Sequence, residues 1–218
     1  IKDVSHELRS PLMRLQFALG LAQQRSNGNV DAELERIKSA ADYLNDIISD
    51  ILSLPINETN TWDLNDTIDL KALLETLLDS YQDQAKSSQL TLNLNCLNEA
   101  LVATHGNSLV GVFENLITNA LRYSHANTSI DIEVTRTPKY FVIEVCDHGS
   151  GLDEEQLGAI FKPFYRTDEA RDRSSGGYGL GLAIAQRTVE LHGGTIKAVN
   201  IPEGGLCVCV RLPSGALE

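Results

Sequence analysis

The chain of 218 residues is 42% hydrophobic, enough for one ordinary domain plus a smaller element. Its 18 Lys and Arg against 30 Asp and Glu leave a formal charge of -12, which argues against a broad nucleic-acid interface and requires any nucleotide to be held locally. No run of about 18 apolar residues is present to span a bilayer, and no basic-then-apolar leader opens the sequence.

Apolar residues recur at Val4, Leu8, Leu15, Leu19 and Ala22, and again at Leu34, Ile37, Ala41, Leu44, Ile48 and Ile51. These helical steps predict two amphipathic helices, and Ser26-Asn27-Gly28-Asn29 is a turn that makes them antiparallel neighbours. A lone hairpin cannot enclose both sides of its seams. Pairing two hairpins into a four-helix bundle solves this, so a homodimer through residues 1–55 is expected. Pro55 ends the second helix, and 56–67, rich in Asn, Thr and Asp, reads as a linker. Because Ile1 is already inside the helical pattern, the chain reads as a fragment.

From 68 to 213 the periods mix. Leu70 to Ala85 and Leu109 to Tyr123 are predicted helices, with a strand at Leu90 to Asn95 between them. Thr128 to Thr135 and Tyr140 to Cys146 read as strands, Leu180 to Leu191 as a helix, and Thr195 to Asn200 with Leu206 to Leu212 as a closing hairpin. The fold class expected is α plus α/β: the helical hairpin, then a two-layer α/β sandwich. Residues 214–218 read as a tail, an expression scar. Cys96, Cys146, Cys207 and Cys209 form no zinc-ligand pattern and read as reduced core cysteines, with Cys207 and Cys209 on the buried face of one strand.

On the first helix His6 lies roughly 160° from the apolar stripe and faces water. Glu7 follows it, and Pro11 removes the amide that would bond the Glu7 carbonyl, loosening the helix beyond His6. An exposed histidine means little alone, but here a carboxylate stands ready to orient its ring and take its proton. No P-loop is present. Asn115 and Asn119 instead project from one helical face beside Glu114, and a pair of amide oxygens suits Mg2+. Asp147 ends a strand and leads into Gly149 and Gly151, a turn allowing close backbone approach and offering a carboxylate to an adenine amine. Arg166, Arg171 and Arg173 sit in a polar stretch that reads as a lid, with Phe161 and Phe164 anchoring it by packing. Gly177, Gly179 and Gly181 then lead into a helix whose free first amides suit a phosphate. His192-Gly193-Gly194 reads as a helix stop.

Ser5-His6-Glu7-Leu8-Arg9-Ser10-Pro11, Glu114-Asn115-Leu116-Ile117-Thr118-Asn119, Asp147-His148-Gly149-Ser150-Gly151 and Gly177-Tyr178-Gly179-Leu180-Gly181-Leu182 resemble the H, N, G1 and G2 boxes of the sensor histidine kinases. Phe161 to Arg166 stands as the F box, and the stretch from Phe164 to Arg173 looks most like an envelope-stress sensor kinase. The resemblance implies a sandwich of the Bergerat (GHKL) type and autophosphorylation of His6 by ATP, with transfer to an aspartate on a response-regulator receiver domain. It also implies phosphatase action through Ser10, which stands where the family usually has Thr. Catalytic roles fall to His6, Glu7, Ser10 and Glu114. Nucleotide contacts fall to Asn115, Asn119, Arg122, Tyr123, Asp147, Gly149, Gly151, Arg166, Gly177, Gly179, Leu180, Gly181 and Leu182, and Mg2+ to Asn115 and Asn119. Membrane attachment through upstream segments is implied, making this a cytoplasmic piece of a bacterial inner-membrane protein. The rival readings are a clamp ATPase of the gyrase, Hsp90 or MutL kind and a pseudokinase scaffold. Protein-bound label from ATP separates the first, and ATP turnover the second.

Overall fold

The computed structural model describes Gly20, residues 64–167 and residues 179–215. The chain divides into two compact units, Ile1–Pro55 and Ile56–Glu218, and apart from Gly20 the described residues fall in the second. The expected helical hairpin, His6, Glu7 and Ser10, and residues 168–178 with Gly177, lie outside them.

Strand β1 (Asp66–Asp69) leads directly into helix α1 (Leu70–Ser87), whose first turn is capped by Asp69 Oδ1 accepting from the Lys71 amide at 2.9 Å. Leu70, Leu73, Leu74, Leu77 and Leu78 make its buried stripe. Strands β2 (Thr91–Cys96) and β3 (Leu101–Thr104) follow, then α2 (Ser108–Tyr123), buried through Leu109, Val112, Phe113, Leu116, Ile117, Ala120 and Leu121. After β4 (Ser129–Arg136) and β5 (Tyr140–Cys146) come the short α3 (Glu154–Leu157) and a 3-10 turn at Ala159–Phe161. Helix α4 (Gly181–Leu191), β6 (Thr195–Asn200) and β7 (Leu206–Pro213) complete the unit.

The main sheet has five strands in the order β2-β4-β5-β7-β6, with β2 parallel to β4 and the other neighbours antiparallel; β1 and β3 form a separate antiparallel pair. Ile130, Ile132 and Val134 of β4, Phe141, Ile143 and Val145 of β5, and Val208, Val210 and Leu212 of β7 alternate into one core with the leucines of α1 and the stripe of α2. The opposite sheet face carries polar pairs such as Asn93 Nδ2 to Asp131 Oδ1 at 2.8 Å. The result is the two-layer α/β sandwich expected, with helices on one side of the sheet.

Three expectations are corrected. Asp66 and Thr67 belong to β1 rather than to a linker, tied to the turn after β3 by Gly106 donating to Asp66 Oδ2 at 3.0 Å. Ser214 is buried and its amide donates to Lys139 O at 3.0 Å, so the fold runs one residue past 213. The cysteines are not all reduced core residues: Cys146 and Cys207 are joined by a disulfide, while Cys96 and Cys209 are free. Cys146 faces Cys207 across β5 and β7 at a non-hydrogen-bonded position, where antiparallel backbones come closest. Cys207 and Cys209 do share a strand face, but it is the one turned from the core, because Val208, Val210 and Leu212 take the inner positions.

Candidate active site

Asp147, just past β5, is only 7% exposed. Its Oδ1 accepts from the amides of Gly149 at 2.9 Å and Leu206 at 3.2 Å, while its own amide donates to Leu206 O at 2.9 Å. Burial pushes its carboxyl above the ordinary aspartate value, and the two backbone amides pull the other way. A carboxylate kept in so dry a setting is a strong acceptor for a ligand amine.

The turn after Asp147 needs its glycines for close approach. A Cβ on Gly149 would strike the Tyr123 carbonyl oxygen at the end of α2. Gly151 has φ +70°, and a Cβ there would lie 2.9 Å from Asn200 Oδ1. Asn200 closes this turn: its Oδ1 accepts from the Leu152 amide at 2.9 Å and its Nδ2 donates to Leu152 O at 2.6 Å. His148 points its Nδ1 at Ser129 O, 2.9 Å away, which makes that nitrogen the donor.

At the other end, α4 starts without a side-chain cap: Leu180 is the N-cap residue, and its carbonyl accepts from the Ile184 amide at 2.9 Å. The Leu180 side chain is fully buried, so the backbone is what this residue offers to a ligand. Gly181 faces α2, where an added Cβ would sit 2.6 Å from Asn115 Oδ1. The start of α4 and the asparagine face of α2 are thereby brought against each other. Asn115 and Asn119 are half-buried and Glu114 is exposed, near enough to Tyr81 of α1 to raise its phenol together with burial, the larger cause. Arg122, Leu182 and Arg166 are half-buried and Tyr123 is exposed.

Between these ends, Phe164 donates its amide to Gly179 O at 2.9 Å. Phe161 is buried as expected, but Phe164 is 62% exposed with φ +64°, so it does not anchor by packing. Its part is played by backbone. Two residues that the sequence did not single out also shape the site: Asn200 and Leu206, both far along the chain from the turn they hold.

Among the described residues no group of three or more His, Cys, Asp and Glu could hold a metal ion. The amide oxygens of Asn115 and Asn119, beside a glycine that keeps space open at Asn115, fit Mg2+, which takes most of its ligands from water and phosphate. The geometry offers a buried acceptor at Asp147 and uncapped amide donors at the start of α4, with Asn115 of α2 beside that start.

Residues 104–216 match the family of histidine kinase-, DNA gyrase B- and HSP90-like ATPases, and residues 1–59 match the His Kinase A phospho-acceptor domain. The chain belongs to this ATPase family and joins its ATP-binding domain to a histidine kinase phospho-acceptor domain, which implies the helical bundle. It is similar to the sensor histidine kinase CpxA of Escherichia coli K12, 39% identical over 98% of this chain and 46% of the relative. It is also similar to the signal transduction histidine-protein kinase BaeS of the same organism, 31% identical over 97% of this chain and 45% of that one. The chain thus spans about half the length of these relatives. In fold it resembles full-length ShkA in complex with AMPPNP, with a TM-score of 0.82 at 20% identity over 97% of this chain and 45% of that one. It also resembles the Acinetobacter baumannii histidine kinase AdeS, with a TM-score of 0.67 at 24% identity over 96% and 98%. The histidine kinase reading thereby stands over the clamp ATPases. Among the described residues no helix is long and apolar enough to cross a membrane.

Proposed function

We propose that this chain is the catalytic core of a two-component sensor histidine kinase. Residues 66–214 bind ATP, 1–55 form the dimeric phospho-acceptor hairpin, and 56–65 connect them. The observation that carries the nucleotide reading is the contact of Gly181 with Asn115, which sets the uncapped start of α4 beside the amide pair of α2. Asp147 accepts the adenine amine. Gly149 and Gly151 let the turn approach the base, and Arg122, Tyr123 and Arg166 line the nucleotide. Gly177, Gly179, Leu180, Gly181 and Leu182 present backbone amides to the phosphates. Mg2+, when bound, neutralises phosphate charge.

His6 in its neutral form attacks the γ-phosphorus. Its nitrogen gains the phosphoryl group, ADP leaves, and Glu7 orients the ring and takes its proton. Glu114 stands by as a second carboxylate at the phosphate end. Transfer to an aspartate on a response-regulator receiver domain follows, and Ser10 places the water that later removes that phosphate. The relatives' sensor roles support a membrane-tethered parent protein whose cytoplasmic part this is.

Incubation with γ-labelled ATP tests the reading. Acid-labile, base-stable label on the protein is expected, absent in His6→Ala although that variant still binds nucleotide. Wild-type labelling in His6→Ala would remove His6 from the mechanism.

A further inference from the structure

Cys146 stands immediately before Asp147, and Cys207 immediately after Leu206. The rung of the β5–β7 ladder that they occupy has its Cα atoms 4.0 Å apart, with the two sulfurs bonded. The adjacent rung is the Asp147–Leu206 clasp, amide to carbonyl at 2.9 Å and Leu206 amide to Asp147 Oδ1 at 3.2 Å. The crosslink therefore joins the rung next to the one that holds the carboxylate read above as the base acceptor. It also spans a sequence separation of 61, a stretch that contains Gly149, Gly151, Gly179 and all of α4.

Access is one-sided. Cys207 is 5% exposed and Cys146 half-buried, both on the sheet face turned from the helices, so Cys146 is the more accessible of the two residues. Cys209 shares that face, but burial and the nearby Glu144 push its thiol up and disfavour its thiolate. Cys96 is two strands away on β2.

We propose that Cys146 and Cys207 are a reversible thiol-modification site that sets adenine-nucleotide affinity, the disulfide form binding more tightly than the dithiol. This rests on the nucleotide reading of Asp147. The oxidant is a low-molecular-weight disulfide. The Cys146 thiol loses its proton and attacks one sulfur of the oxidant, forming a mixed disulfide and releasing one thiolate. The Cys207 thiol then loses its proton and attacks the Cys146 sulfur, releasing the second thiolate. Two cysteines are oxidised, one disulfide is reduced to two thiols, and the two protons go to those thiols. In the crosslinked form the last rung cannot open, so Asp147 Oδ1 is already placed. In the dithiol form, ordering that rung costs part of the binding energy.

The test equilibrates the 218-residue protein in graded glutathione and glutathione disulfide mixtures and reads the redox state by alkylation and mass. Fluorescent adenine-nucleotide binding is measured on the same samples. The disulfide form should bind about fivefold or more tightly than the dithiol, and saturating nucleotide should favour disulfide formation by the same factor, because coupling is reciprocal. Cys209→Ser should keep the effect. The double variant Cys146→Ser, Cys207→Ser should bind like the reduced protein at every ratio, and if it folds poorly the reciprocal shift in the unsubstituted protein decides. Equal affinity in both redox states, or no Cys146–Cys207 disulfide under oxidising mixtures, overturns the proposal. Absence of nucleotide binding in both states overturns the nucleotide reading itself, and the proposal with it.

Discussion

On the proposed nucleotide reading, Asp147 sets ligand recognition against stability. Its raised carboxyl means that burying the charge costs folding energy at neutral pH, and the cost disappears once pH falls below the ordinary aspartate value of 3.8, where both folded and unfolded chains hold the proton. Asparagine keeps an Oδ1 that can accept from Gly149 and Leu206 but removes the charge. Asp147→Asn should therefore raise Tm at pH 7 while weakening nucleotide binding by about tenfold or more. The gain in Tm should shrink as pH falls towards 3.8. Thermal melts across pH together with a binding titration check both halves, and a lower Tm at neutral pH would contradict the account. The two contact glycines divide similarly. Gly181→Ala meets only the movable end of Asn115, so it should weaken nucleotide binding with little change in Tm. Gly149→Ala meets the Tyr123 backbone, so it should weaken binding and also cost on the order of 1–3 kcal/mol of stability in a denaturant titration.

At the scale of elements, α4 is held at its far end by His192. Its Nδ1 donates to Thr188 O at 2.7 Å, leaving Nε2 to accept from the Ser108 hydroxyl at 3.4 Å, with the Thr104 hydroxyl, which donates to Gly106 O, 3.3 Å away. Burial lowers its basicity by penalising the charged ring, while the bond to Thr188 O pulls the other way. The unfolded chain takes up a proton near the ordinary value of 6.5 and the folded chain only below it. This contribution to stability is full above pH 6.5 and is lost as pH falls through the lowered folded value. Melts of His192→Gln should show a shallower fall in Tm from about pH 7 to about pH 5 than the unsubstituted protein. The helices and the central strands were legible because their apolar periods are long: α1 and α2 start within a residue of where the spacing puts them. β1 and β3 are four residues each, too short to show a period, and β1 hides in a polar run. His192 read as a bare helix stop because its partners Thr104 and Ser108 come from β3 and α2, and nothing near it in sequence announces them. Asn200 and Leu206 escaped for the same reason, whereas Asp147, Asn115 and the glycines stand out as candidates because their spacing is local.

For the molecule as a whole, the division at Pro55 separates phospho-acceptor from nucleotide site along the chain. A fragment of residues 64–215 contains every described strand and helix of the sandwich, so it should fold alone and bind nucleotide within about threefold of the parent chain, but take no label from ATP. Added to a 1–63 fragment carrying His6, it should restore acid-labile label on the smaller piece. Label on the larger fragment would contradict the assignment of the acceptor. The disulfide acts at the same scale: closing a stretch with a separation of 61 is worth roughly 4 kcal/mol on the chain-entropy account, so the oxidised fragment should melt well above the reduced one.

The bond from the Phe164 amide to the Gly179 carbonyl also ties the segment between them to the folded unit. Its two ends are fixed by residues that belong to the folded unit, and each doubling of the intervening length costs only about 0.6 kcal/mol. Residues 168–176, which leave Gly177 in place, are thus a natural port for engineering. A fluorescent reporter domain spliced there should leave the strands of the sheet in place.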